Sequence, residues 1–200
     1  MALGAPVVAA RPDGIDPPRG CGAEWMLDVA ALVESPWPDT PGEDGDWEVL
    51  AHTAAVSAIS RTPFAGWTGG DAPVIELAVR LTSDEEVQAL NRQYRHKDKP
   101  TNVLSFPMIQ PDLLDTVTVN AGDGEVILGD IVLAYGVCTR EAAERGVAVR
   151  DHAAHLIVHG CLHLLGYDHM GEAEAGAMEA IERDVMAALG LHDPYPISED

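Results

Sequence analysis

The stretch VIELAVRLTSDEEVQALNRQYR, residues 74–95, changes its hydrophobic period halfway along, and that change decides the fold class. Over residues 74–81 the side chains alternate. Ile75, Leu77, Val79 and Leu81 share one face, while Glu76 and Arg80 share the other. A period of two marks a half-buried strand. Ser83, with Glu86 three residues on, then forms a capping box that satisfies the free amides of a helix start. The pattern predicts a helix running to about Tyr94.

Working outward toward the N-terminus, EWMLDVAALVE (24–34) reads as a first strand and SPWPDTPGEDGD (35–46) as a loop. Asp46 is placed to cap a helix that carries Trp47, Leu50, Ala54 and Ala58 on one face. Toward the C-terminus, VLSFP (103–107) is a short strand ended by proline and VILGDIVLA (126–134) a more buried one. Residues 108–125 between them form a loop near the upper length limit for a compact domain. A helix from about Asp151 to Leu165 is stopped by Gly166, and a last one runs from about Glu172 to Leu189, with Met178, Ile181, Val185 and Leu189 at core spacing. Together these segments predict an α+β fold: a single domain with a small, mostly mixed sheet of about four strands packed with helices.

The 200 residues suffice for one domain. Residues 1–22, with four prolines and four glycines and no apolar period, read as a flexible extension. The domain is then 23–196, followed by a short tail at 197–200. The N-terminus lacks a basic region and a long apolar stretch, so a secretory signal is not expected, and no run of about 18 apolar residues predicts a membrane span. Three cysteines, Cys21, Cys138 and Cys161, form no C-x-x-C pair and no even framework, which fits a reducing cytoplasm.

The net charge of −21 sits badly with a phosphate-rich ligand until its distribution is seen. Residues 1–46 carry nine acids against two basic residues, and residues 171–200 eight against one. Arg92, Arg95, Lys97 and Lys99 fall within eight residues, and these are the only two lysines in the chain. Exposed charges beyond about 8–10 Å are largely screened at physiological salt, so a local basic site survives on an acidic protein. The same cluster also reads as a solvated helix end.

The chemistry concentrates in HGCLHLLGYDH, residues 159–169. His159 and His163, one helical turn apart, share a face. A straight helix cannot complete a tetrahedral site alone, but a left-handed Gly166 turns the chain and lets His169 swing back toward the same ion. Three histidines leave a fourth position open, as catalytic zinc sites do. His155 extends the spacing of four, yet the span from 155 to 163 is about 12 Å, so it is expected to pack or to support a ligand. Cys161 points away from His159 and is expected in the core. His52, His96, His152 and His192 are read as ordinary polar residues. The spacing matches H-E-x-x-H-x-x-G-x-x-H proteases, but Gly160 stands where their general base is. The metal geometry is kept and the peptide-cleaving base is not.

HGCLHLLGYDH, together with LNRQYRHKDKPTNVLSFP (90–107), LGDIVLA (128–134) and LGLHDPYP (189–196), resembles the YbeY family of bacterial rRNA maturation factors. The resemblance covers about residues 74–196, is weak over 24–73 and is absent from 1–22. It implies a cytoplasmic endoribonuclease with one zinc ion per chain, acting in small-subunit rRNA maturation and ribosome quality control. RNA, the small ribosomal subunit and assembly factors are its implied partners. By position, the ligands become His159, His163 and His169, and Arg95 the family's functional arginine. His96 stands where many members have glycine. A guanidinium can hold two phosphoryl oxygens at once as charge develops there. Lys97, Lys99, Asn102 and Ser105 are candidate substrate contacts, and Asp168 a candidate to hold a ligand imidazole in its tautomer. A metallopeptidase recruiting another base, from Asp168 or Glu125, and an assembly module with a structural metal are the rival readings.

Overall fold

The alternation over residues 74–82 is realised as strand β2 (Val74–Thr82), whose Ile75, Leu77, Val79 and Leu81 are all buried. The computed structural model describes residues 27–42, 45–68, 74–114, 116–117 and 125–196. The expected extension at 1–22, the tail at 197–200 and much of the 108–125 loop lie outside the described residues.

β1 (Leu27–Val33) precedes helix α1 (Trp47–Ile59), which Asp46 caps by accepting the amide of Glu48 at 2.8 Å. After β2, Ser83 accepts from the Glu86 amide and opens α2 (Asp84–Arg95). β3 (Val103–Pro107), β4 (Glu125–Ala134), α3 (Tyr135–Arg145), α4 (Val149–Leu164) and α5 (Glu172–Ala188) complete the order. The sheet runs β1-β2-β4-β3, with β1, β2 and β4 parallel and β3 antiparallel on the edge. This is the mixed four-stranded α+β domain that the sequence predicts.

Side-chain alternation gives the sheet two covered faces. Ile75, Leu77, Ile131, Leu133 and Val103 belong to the main core, with Trp47 and Ala55 of α1 and Ile157 and Cys161 of α4. Leu104, Val132 and Ala134 form a smaller cluster on the other face with Val87 of α2 and Val137 of α3. Each large aliphatic fully removed from water contributes about 1.5–3 kcal/mol, so this layering is the main source of stability. Between Glu76 and Leu77 the register with β4 shifts, and Gly129 there has a φ of 149°. A side chain at that position would stand 2.4 Å from the Phe106 carbonyl oxygen, so only glycine lets β3 and β4 pair through the bulge.

One helix departs from expectation. The sequence reading assigns no element to residues 135–148, whereas the structure forms α3 there. Ala134, which precedes it, offers no capping side chain; Asp84 Oδ1 instead accepts the amides of Gly136 (2.7 Å) and Val137 (3.2 Å). Among the described residues, no helix is long and apolar enough to cross a membrane.

Candidate metal centre

Helix α4 lies close on the sheet because its core-facing surface includes a residue with no side chain. A Cβ at Gly160 would sit 2.8 Å from Ile131 Cγ2 and 3.1 Å from Ser105 Oγ. His159 is only partly buried, whereas Ile157, Val158, Cys161 and Leu162 are buried. The position where a protease carries its general base is therefore pressed against the sheet, with no room for any side chain.

The end of α4 builds the rest of the site. The Tyr167 amide donates to the Leu162 carbonyl (3.0 Å) and the Gly166 amide to that of His163 (3.0 Å). This paired pattern closes a helix on a left-handed residue, and Gly166 has a φ of 85°. The reversal brings His169 back, so that one ligand atom from each of His159, His163 and His169 lies within 4.8 Å of the others. The His169 ring centroid is 5.7 Å from that of His159 and 5.1 Å from that of His163. His169 is exposed, which leaves the group open to solvent on that side.

The second nitrogens of the two helical histidines show how far the donor set suits a metal. His163 Nδ1 lies 2.9 Å from the Tyr167 carbonyl oxygen, which only accepts, so the ring hydrogen sits on Nδ1. His159 Nδ1 likewise donates to Glu182 Oε1 at 2.7 Å. In the neutral rings both hydrogens are thus committed away from the centre, and the two bare Nε2 atoms face each other at 3.1 Å. Two lone pairs at that distance repel unless a cation lies between them. Two nitrogens on tetrahedral zinc stand about 3.3 Å apart, given bonds of about 2.0–2.1 Å. Burial and the neighbouring His159 and His169 rings press the His163 pKa down to about 4, keeping it in the neutral form a metal requires. The residues present fit a divalent metal ion of the kind that imidazoles bind.

Glu182 is the site residue that sequence reasoning missed. Burial works against its charge, yet hydrogen bonds from His155, His159 and Tyr195 bring its pKa down to about 2. It lies 23 residues from His159 on another helix, and only the fold brings the two together. His155 turns Nε2 to the same carboxylate at 3.2 Å and stands outside the ligand group. His152 departs from its reading as an ordinary polar residue: it is 1% exposed, and its Nε2 lies 2.9 Å from Glu141 Oε2.

The remaining candidates are spread more widely. Asp168 accepts the His169 backbone amide at 2.7 Å, so it shapes the turn, and the carboxylate on a ligand imidazole is that of Glu182. Ser105 faces α4 beside Gly160. Asn102 donates to Glu141 Oε2 at 3.0 Å and accepts the Val103 amide at 2.7 Å, tying the edge strand to α3. Arg95, Lys97 and Lys99 are exposed. Arg95 ends α2, on the opposite face of the sheet from α4, and has no polar partner among the described residues. His96 follows in the left-handed conformation, with a φ of 57°, which glycine adopts without steric cost.

Residues 58–190 match the family described as endoribonuclease YbeY. The chain is 57% identical over 175 residues to the endoribonuclease YbeY of Rhizorhabdus wittichii, across 88% of this chain and 100% of that protein. It is 53% identical over 170 residues to the endoribonuclease YbeY of Sphingopyxis alaskensis, across 85% and 98% of the two chains. Among solved structures, a protein from Thermotoga maritima, 21% identical, aligns with a TM-score of 0.46 over 84% of this chain and 99% of its own.

Proposed function

Because the chain belongs to the endoribonuclease YbeY family, we propose that it cuts RNA internally with one zinc ion held by His159, His163 and His169, in the maturation of small-subunit ribosomal RNA and in ribosome quality control. The observation that carries the metal reading is the pair of facing Nε2 atoms, 3.1 Å apart, whose partner nitrogens are both engaged elsewhere. When bound, zinc supplies Lewis acidity toward a phosphodiester. The chain's own residues supply the rest.

Glu182 and the Tyr167 carbonyl hold two imidazoles with Nε2 turned inward, and the exposed His169 side admits substrate. Arg95 presents a planar fork suited to two non-bridging phosphate oxygens, with Lys97 and Lys99 beside it. Edge strand β3 separates α4 on one face from α2 on the other, so a single RNA strand crossing that edge meets both the histidines and the basic cluster. Substrate in this reading is precursor rRNA, with the small subunit and its assembly factors as partners in the cytoplasm.

Gly160 speaks against the metallopeptidase reading, since that position has neither a base nor space for one. The open His169 side favours a catalytic over a structural metal. Metal content and RNA cleavage, measured on one preparation before and after chelation, test the proposal. The expected result is about one zinc per chain and cleavage that falls with its removal. Undiminished cleavage by metal-free protein would refute it, and stoichiometric zinc without cleavage would turn the reading toward an assembly module.

A further inference from the structure

Glu182 divides its two oxygens between different tasks. Oε1 accepts the His159 Nδ1 hydrogen at 2.7 Å, while Oε2 takes His155 Nε2 at 3.2 Å and the Tyr195 hydroxyl. The carboxylate is 0% exposed. A buried carboxylate is tolerated only when its lone pairs are met, and here three side chains meet them. Tyr195 lies beyond the last helix, in a segment fastened from two sides. Arg145 of α3 donates to the Pro194 carbonyl at 3.0 Å, and Arg183 of α5 donates to the Tyr195 carbonyl at 3.3 Å and lies 5.2 Å from its ring centroid. The Tyr195 ring also stands edge-on to His155, with centroids 5.8 Å apart.

We propose that Glu182 is a positioning residue for the metal centre and that Tyr195 holds it in place, so that the docked C-terminal segment sets the affinity of the histidines for their ion. The proposal rests on the zinc reading above. A carboxylate behind a ligand imidazole fixes the hydrogen on Nδ1, aims Nε2 and makes it a better donor. Tyr195 and His155 in turn stop the carboxylate from rotating away from His159.

The test uses the full chain. Zinc affinity is measured by competition with a chromophoric chelator for wild type, Glu182→Gln and Tyr195→Phe, and the zinc-loaded wild type is examined by long-range proton–nitrogen NMR of its histidine rings. Glu182→Gln keeps the shape and loses the charge, and it is expected to weaken zinc binding about 10–100-fold. Tyr195→Phe removes one hydroxyl and is expected to weaken binding in the same direction, by less. The spectrum is expected to show the His159 hydrogen on Nδ1.

Val29→Ala, a buried change in β1 at the opposite edge of the sheet from β3, controls for stability: it should lower the melting temperature and keep zinc affinity. A His159 hydrogen on Nε2, both variants within twofold of wild type, or an equal loss in Val29→Ala overturns the proposal. Should Glu182→Gln fail to fold, Tyr195→Phe and the wild-type spectrum decide it. A wild type that takes up no zinc sinks the metal reading and this proposal together. A zinc-binding wild type with indifferent variants sinks this proposal alone.

Discussion

Replacing Gly160 by alanine sets two well-known effects against each other, and the structure decides the sign. In the interior of a helix, glycine to alanine ordinarily stabilises by about 0.5–1 kcal/mol, because alanine loses less conformational freedom on folding. At Gly160 the new methyl would stand 2.8 Å from Ile131 Cγ2, 3.0 Å from Ile131 Cδ1 and 3.1 Å from Ser105 Oγ. Ser105 can turn its hydroxyl away. Ile131 cannot, since Cγ2 is a β-branch with a stiff χ1 and the residue is 0% exposed in the central strand β4. Forcing a methylene into a packed core costs about 1–3 kcal/mol. The net expectation is a loss of about 1 kcal/mol, or roughly 2–4 °C in melting temperature for a domain of this size. Urea and thermal unfolding of Gly160→Ala beside wild type, both metal-free, measure it. A variant that melts at or above wild type would show that α4 is free to lift off the sheet, and would refute the packing argument for the absent side chain.

Other expectations follow from the site. His163→Ala should lose most of its metal by mass-spectrometric counting, since two imidazoles hold an ion poorly; retention of a full equivalent would place the ion elsewhere. Arg95→Ala and Arg95→Lys should keep zinc and melt within about 0.5 kcal/mol of wild type, because the residue is exposed and has no polar partner among the described residues. Both should nevertheless slow single-turnover RNA cleavage, the alanine variant by several kcal/mol in the barrier, by analogy with the about 2.7–4 kcal/mol of one lost oxyanion donor; unchanged cleavage would return Arg95 to a helix-end role. Metal-free protein should lose stability as pH falls from 6.5 toward about 4, because over that window the unfolded chain protonates His163 and the folded chain does not. The slope is at most about 1.4 kcal/mol per pH unit for one proton. Below 4.5 the depressed Glu182 adds a further loss, present down to about 2, and a stability flat across pH 6.5–4 would contradict the partly buried, neutral His163.

Wherever a signal was local, the sequence was readable. The alternation in β2, the Asp46 and Ser83 caps, and the turn at Gly166 each depend on residues within a few positions, and each forms as expected. The convergence of His159, His163 and His169 belongs to the same class, since helix and turn fix its geometry within eleven residues. What escaped was non-local. Helix α3 has no cap of its own and borrows the Asp84 carboxylate from α2, 52 residues away, so nothing near Tyr135 announces it. Glu182 looks like one more acid on an amphipathic helix until α5 packs beside α4. Asp168, nearer in sequence, is the natural guess for a carboxylate on a ligand ring, but its oxygen is already engaged by the His169 amide. His152 reads as polar by type and is buried because Glu141 of α3, the helix that sequence reasoning missed, meets it.

The sheet pairs Leu27 with Ile75 and Val74 with Glu125, so both of its parallel contacts close long stretches of chain. Closing such loops must precede the reward from pairing, which makes parallel sheets slow to assemble. Helix α4 needs no such closure to place His159 and His163 one turn apart. The contact that puts Glu182 behind His159 also spans only 23 residues of consecutive helices, whereas laying Ile131 beneath Gly160 requires the sheet. The histidines and the carboxylate behind them thus belong to the part of the chain that closes over short distances, and the sheet they rest on to the part that closes over long ones.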